Sequence, residues 1–382
     1  MAALDPDAAA AAWLGTVSPQ VRAAAEIAAA HTREDWLVGL VLTLLICLAA
    51  VRTGLLPRLQ ARIEADRPRP RLTACACAAA LAGWLAALSA PWEVFAAWRD
   101  APAAGLAPAL ASVLRRDLAM LAAAALAVPL LLALVRAAPR RWWAWAAAGW
   151  AVLAIAAVWL PYALASGPSD LPPMPQGPAR AGVLRLIGET RLPVRQVYVS
   201  EEPTLEADVT GLPGHPRVIV TRDMLVKLSP TEIRASVGHV LGHHAHGDQL
   251  GYAGLLALLG ALGLLATARL FGPAARLMGA HGAAGPADPA GLPVLLALAT
   301  LWIALATPAA NGFIRAINLR ADQYSLEHAG EPDGLAGLLV KSRGGEVADP
   351  SPLDEVLFHD HPALKGRLRR AMAWKATHQL PS

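Results

Sequence analysis

Apolar positions in this chain gather into six long runs separated by short charged stretches, at residues 36–56, 72–92, 118–135, 142–165, 251–268 and 291–314. A helix rises about 1.5 Å per residue, so roughly 20 apolar residues cross a hydrocarbon core, and each run predicts a transmembrane helix. The run at 72–92 holds no charge at all, and the run at 142–165 carries Trp142, Trp143 and Trp159, residues that settle at membrane interfaces. The first run includes Arg52 near its end, whose guanidinium can reach the headgroups while its stem stays in the hydrocarbon. The runs at 118–135 and 251–268 are shorter, and by length alone either could be a buried core helix.

Between the fourth and fifth runs the pattern changes. Residues 167–182 read as a Pro/Gly/Ser linker, 183–191 as a helix, and 195–200 (RQVYVS) and 217–221 (RVIVT) as β-branched strands on either side of a Gly211-Leu212-Pro213-Gly214 turn. Ser229-Pro230-Thr231-Glu232 is a capping box with proline at the first helical position, which predicts a helix over 230–250. Polar residues return at 315–382. The expected fold is a mainly α membrane protein of about six transmembrane helices, with a small α+β domain split around the last two spans. The expected divisions are an alanine-rich N-terminal segment (1–35), a four-helix membrane region (36–165), the first part of the polar domain (166–250), two spans (251–314) and its second part (315–382).

Composition agrees with this pattern: of 382 residues, 55% are hydrophobic and only 16% charged, with a mean hydropathy of +0.42. A soluble domain carries about a quarter charged residues, and disorder or collagen is excluded by the same figures. The net charge of +4 is too small and scattered to argue for nucleic acid. Cys47, Cys75 and Cys77 lie inside apolar runs without metal-site spacing and read as small hydrophobes. Asp5, Asp7, Glu26, Glu34 and Asp35 break up the first 35 residues, so no cleavable signal peptide is expected. The arginine-rich loops after the first and third spans would be cytoplasmic by the positive-inside rule; Arg99, Arg115 and Arg116 after the second oppose this, and the sidedness of the polar domain stays open.

Candidate chemistry lies in Gly238-His239-Val240-Leu241-Gly242-His243-His244-Ala245-His246-Gly247-Asp248. Histidines four apart share one helix face and can hold one zinc ion. In an HExxH helix the residue after the first histidine is a glutamate that takes a proton from the metal-bound water. Here it is Val240, which can neither accept nor donate a proton.

The chain resembles the integral-membrane CAAX prenyl endopeptidase family and its bacterial relatives, zinc metalloproteases of the HExxH gluzincin type. The resemblance rests on Gly211 to Gly214, Arg217 to Val220, Leu228 to Glu232 and Gly238 onward, followed by two spans, then RAINLRADQYSL from Arg315 and SPLDEVLFHDHPALKGRLRR from Ser351. It implies metal ligands at His239 and His243, with Val240 at the general-base position. The third-ligand glutamate is replaced by Asn318, four residues before Asp322, which would stand behind a ligand imidazole. Glu206 takes the place of an edge-strand asparagine that binds substrate backbone, while His361 and Arg367 match a substrate-side histidine and its following arginine. Plainer readings stand beside these: His244, His246 and Glu206 as solvated groups, His359 and His361 as structural residues of an Asp-rich turn, Asp322 paired with Arg315 or Arg320, and Arg367, Arg369 and Arg370 as a solvated face.

An asparagine carbonyl is a poorer zinc donor than a carboxylate, and loss of a positioned base costs roughly 10²- to 10⁴-fold in rate. The expectation is therefore a bacterial inner-membrane pseudoprotease, with zinc residual or absent, in contact with membrane lipid and able to hold hydrophobic or lipidated peptides, with no nucleic-acid partner. The alternative is a working zinc endopeptidase in which Asp322 or Asp248 substitutes for the missing acids.

Overall fold

The computed structural model describes residues 4–164, 171–190, 194, 196–210 and 216–378. In chain order its elements are α1 (Pro6–Gly15), α2 (Pro19–Arg52), α3 (Leu55–Ile63), α4 (Pro70–Asp100), α5 (Leu106–Ala137), α6 (Trp142–Leu164), α7 (Pro178–Glu189), β1 (Val197–Ser200), β2 (Asp208–Thr210), β3 (Arg217–Thr221), α8 (Arg222–Lys227), α9 (Pro230–His246), α10 (Asp248–Met278), α11 (Leu292–Ala329), α12 (Pro332–Arg343), α13 (Pro352–Phe358) and α14 (Leu364–Thr377). The chain divides into two compact units: one holds residues 30–153 and 256–307, the other 1–29, 154–255 and 308–382.

The six apolar runs fall on six helices long and apolar enough to span a membrane, α2, α4, α5, α6, α10 and α11. The two short runs belong to helices of 32 and 31 residues, so length no longer argues for buried core helices. On α5, Leu126 and Leu130 are each 73% exposed, an apolar surface that is costly to leave in water and suited to lipid. Within this membrane unit, Leu56, Cys77 and Leu132 are fully buried in a small core of α3, α4 and α5. Gly260 and Gly263 of α10 admit the indoles of Trp150 and Trp302, whose Nε1–H groups donate to the carbonyls of Leu256 (2.8 Å) and Leu259 (3.0 Å).

The polar unit has its own core. Three strands are ordered β1-β3-β2, with β1 parallel to β3 (Val197 beside Val218) and β2 antiparallel to it (Val209 beside Val218). Val197, Val199, Val218 and Val220 pack with Ile233, Val237 and Leu241 of α9 and Leu368 of α14. Burying each such side chain stabilises the fold by about 1.5–3 kcal/mol. The third strand, β2, was not expected, and the Gly211 to Gly214 turn lies outside the described residues. Part of the expected linker is instead structure, since Met174 is buried and Pro178 begins α7. Helix α1 also belongs to this core through Ala10, Trp13 and Leu14, although sequence marked it only as alanine-rich.

The predicted helix over 230–250 is two helices. Its start is as expected: Ser229 Oγ accepts from Glu232 N, and Glu232 Oε2 accepts from Ser229 N at 2.6 Å. Its end is Gly247, left-handed at φ 64°, whose N–H bonds back to the carbonyls of His243 and His244. A residue with a Cβ is strained there, so glycine sets the break, and α10 starts afresh at Asp248.

Candidate metal site with a degenerate donor set

Helix α9 places its two spaced histidines where α11 crosses closest. A Cβ on Gly238 would lie 2.8 Å from Ser325 Oγ, and one on Gly242 would lie 2.9 Å from Tyr324 Cβ and 3.1 Å from Ala321 Cα. The two glycines therefore let α11 approach backbone to backbone. Ser325 Oγ fixes the contact by donating to Ala235 O at 2.8 Å.

This approach delivers a carboxylate behind each imidazole. His239 Nδ1–H donates to Asp322 at 2.9 Å, and His243 Nδ1–H to Asp248 at 2.8 Å. Each carboxylate is in turn held by an arginine: Arg367 forks onto both oxygens of Asp322, at 2.7 Å each, and Arg320 binds Asp248. Asp322, Arg367 and Asp248 are all at most 5% exposed. With both Nδ1 atoms donating, the two Nε2 atoms are the ones left to ligate a metal. They face each other at 3.1 Å. Two nitrogens on one tetrahedral zinc stand about 3.3 Å apart at the usual bond length, so the pair fits two positions of one ion. Burial, and then the neighbouring His239 ring, push the His243 pKa down to about 4, which keeps it neutral and able to ligate.

The rest of a zinc donor set does not fit. Asn318 is buried and its Nδ2 donates to Ile314 O (2.9 Å), back into its own helix. Among the described residues, no three His, Cys, Asp or Glu side chains converge as metal ligands. Val240 packs against the core of the polar unit and lines the same cavity as the histidines.

That cavity, about 920 Å³, lies within the polar unit and brings together His239, His243, Asn318, Glu206 and His361, with Arg367 at its wall. Its organiser is Arg343, which sequence did not mark. Arg343 Nη2 donates to Glu206 (2.6 Å) and to His361 Nε2 (3.1 Å), while His361 Nδ1–H donates to Asp360 (2.8 Å). Glu206, as an ion pair, and His361, as a hydrogen-bond acceptor, are thus brought together on Arg343 at the cavity.

Several expectations need correction. Arg367 is buried on Asp322, so it is neither part of a solvated face with Arg369 and Arg370 nor free to meet a substrate with its guanidinium. Arg315 and Arg320 do not pair with Asp322: Arg315 donates to the carbonyls of Glu355 and His359, and Arg320 to Asp248. His246 Nδ1–H donates to Gly242 O at 2.7 Å, and neither His244 nor His246 lines the cavity.

The profile of peptidase family M48 matches residues 173–375. The uncharacterized metalloprotease YhfN of Bacillus subtilis is 28% identical over 53% of this chain and 49% of its own length, so the chain spans about half of that relative. A protease HtpX homolog of Ralstonia pickettii is 30% identical over 52% of this chain and 74% of its own length. In fold, the chain is similar to the crystal structure of S. mikatae Ste24p, with a TM-score of 0.60 over 85% of this chain and 82% of that one, at 16% identity. Together with its six apolar helices, these likenesses make it an integral membrane protein of metalloprotease ancestry.

Proposed function

Since the chain belongs to peptidase family M48, we propose that it is a pseudoprotease of a bacterial inner membrane, holding hydrophobic or lipidated peptides in the cavity beside His239 and His243 without cutting them. One observation carries this reading. The imidazole pair keeps its orienting carboxylates and arginines, while the neighbouring positions that would activate water and complete the metal hold Val240 and Asn318. Zinc is the metal of this family. Here two neutral imidazoles and a carboxamide supply no negative charge directly to such an ion, so binding is weak or absent.

The rival reading, a working endopeptidase with a substitute acid, needs a carboxylate free to act as base. Asp322 and Asp248 are each spent on an imidazole and an arginine and Glu206 on Arg343, which leaves Asp208, whose Oδ1 accepts from Val209 N at 2.7 Å, and the exposed Glu202 as the cavity acids that reading would have to use.

Purified protein in detergent, titrated with a fluorescent farnesylated peptide, should show saturable binding, no cleavage product by mass spectrometry, and well under one zinc per chain by elemental analysis. Peptide cleavage by the wild type that disappears in His239→Ala would overturn the pseudoprotease reading. Absence of saturable binding would remove the peptide-holding role.

A further inference from the structure

We infer that one rim of the membrane unit is a binding surface for anionic phospholipid headgroups. The chain carries ten arginines on three segments of this unit: Arg52, Arg58, Arg62, Arg67, Arg69 and Arg71 around α3, Arg136, Arg140 and Arg141 at and after the end of α5, and Arg276 near the end of α10. Contacts within the unit place these segments side by side. Arg52 Nε donates to Met278 O at 3.1 Å, Arg136 Nη2 donates to Ala287 O at 3.2 Å, and Pro57 lies against Gly282.

The acids of the same segments do not neutralise the arginines. Glu64 accepts from Thr73 Oγ1 at 2.7 Å, Asp288 caps its own loop by accepting from Ala284 N and Ala290 N, and with Asp66 these three carboxylates are too few to offset ten arginines. Arg58, Arg62, Arg67, Arg71, Arg140, Arg141 and Arg276 are exposed and make no ion pair among the described residues. Arg69 adds an independent sign of a missing acceptor, because its Nε is buried with no hydrogen-bond partner.

Depth and shape select the partner. Helix α3 buries Leu56 and packs Leu55 and Leu59 on the membrane unit's core, so Arg58 and Arg62 emerge beside the start of the apolar α4. Trp143, part-exposed in the first turn of α6 directly after Arg140 and Arg141, is the residue type that settles among headgroups, while Trp142 beside it is buried in the protein. Guanidinium groups match phosphate oxygens two at a time, which a lysine ammonium cannot do. Only a bilayer presents phosphodiesters in a plane at this depth.

The test uses the full chain in nanodiscs of equal phosphatidylcholine and phosphatidylglycerol, with retained lipid counted by native mass spectrometry after release. An arginine near an anionic surface contributes about fivefold to attraction, so wild type should retain phosphatidylglycerol over phosphatidylcholine by at least about tenfold. The variant Arg58→Gln, Arg62→Gln, Arg67→Gln, Arg71→Gln, which keeps Arg140, Arg141 and Arg276, should show a preference at least about fivefold lower than wild type, while Arg222→Gln, in the polar unit, should match wild type. On wild type alone, 0.5 M NaCl should erase most of the preference, a readout that survives if the fourfold variant does not fold. Equal retention of both lipids by wild type would overturn the inference. So would a preference untouched by salt and by the fourfold change, or one displaced by 10 mM inorganic phosphate, which would mark a site for free anion.

Discussion

Behind the imidazoles of His239 and His243 stand two buried carboxylates, each clasped by an arginine; in front of them, lining the cavity, stand Val240 and Asn318. The rear arrangement is built to high precision, with hydrogen bonds of 2.7 to 2.9 Å onto Asp322 from both His239 and Arg367. In front, neither Val240 nor Asn318 carries a side chain that could take a proton from water. The contrast teaches that orientation and reactivity are separable here. The rear network also links α9, α11 and α14, so it has a structural reason to persist whatever the chemistry in front. The front acids would serve only a metal and its water.

The comparison can be broken from the rear. Replacing Arg367 with Met removes the fork on Asp322 and strands a buried carboxylate. Loss of one partner of a buried pair costs about 3–5 kcal/mol, so Arg367→Met should lower the thermal midpoint in detergent sharply. An unchanged midpoint would mean that the pair contributes little to holding α14 against α11.

A smaller effect is expected from the helix crossing that makes the rear network possible. Gly242→Ala drives a Cβ into Tyr324 and the Ala321 backbone, and overpacking of this kind costs about 1–3 kcal/mol. The His239 to Asp322 contact should loosen with it, seen as a changed histidine Nδ1 shift by NMR. A variant as stable as wild type with the same shift would refute the close-crossing account.

The low His243 pKa gives a pH dependence in metal-free protein. Its folded value of about 4 lies below the 6.5 of an unperturbed histidine. Between those values the unfolded chain takes up a proton that the folded chain does not. This contribution to stability is therefore complete above pH 6.5 and is lost as pH falls toward 4. The thermal midpoint of EDTA-treated wild type should drop more between pH 7 and pH 5 than that of His243→Gln; parallel drops would contradict the assigned burial. The smallest effect belongs to Glu206→Gln, which breaks a half-exposed pair with Arg343 and should change stability by less than about 1 kcal/mol, measured by the same thermal midpoint.

The membrane helices were legible because lipid imposes a simple rule, about 20 apolar residues in a row, and the start of α9 because Ser229 and Glu232 announce a cap. The break at Gly247 carried a signal as well, a glycine directly after a turn holding His243, His244 and His246, but the expected helix over 230–250 ran through it. That break is why Asp248 turns back onto His243 instead of continuing one turn along. Strand β2, with three residues, offers no periodicity to read. Arg343 could not be found locally because its partners Glu206 and His361 lie 137 and 18 residues away. The pairing of Arg367 with Asp322, 45 residues apart, was hidden for the same reason, although the resemblance had marked both residues.

The central claim is that no group beside the imidazole pair can activate water, and the most direct test adds those groups back. Zinc-supplemented wild type and the double variant Val240→Glu with Asn318→Glu should be compared for cleavage of one fluorogenic peptide under single-turnover conditions. The double variant should be faster by at least about 100-fold, the low end of what a positioned base supplies. A wild-type rate within a few fold of the double variant, abolished by His239→Ala, would make this protein a working hydrolase.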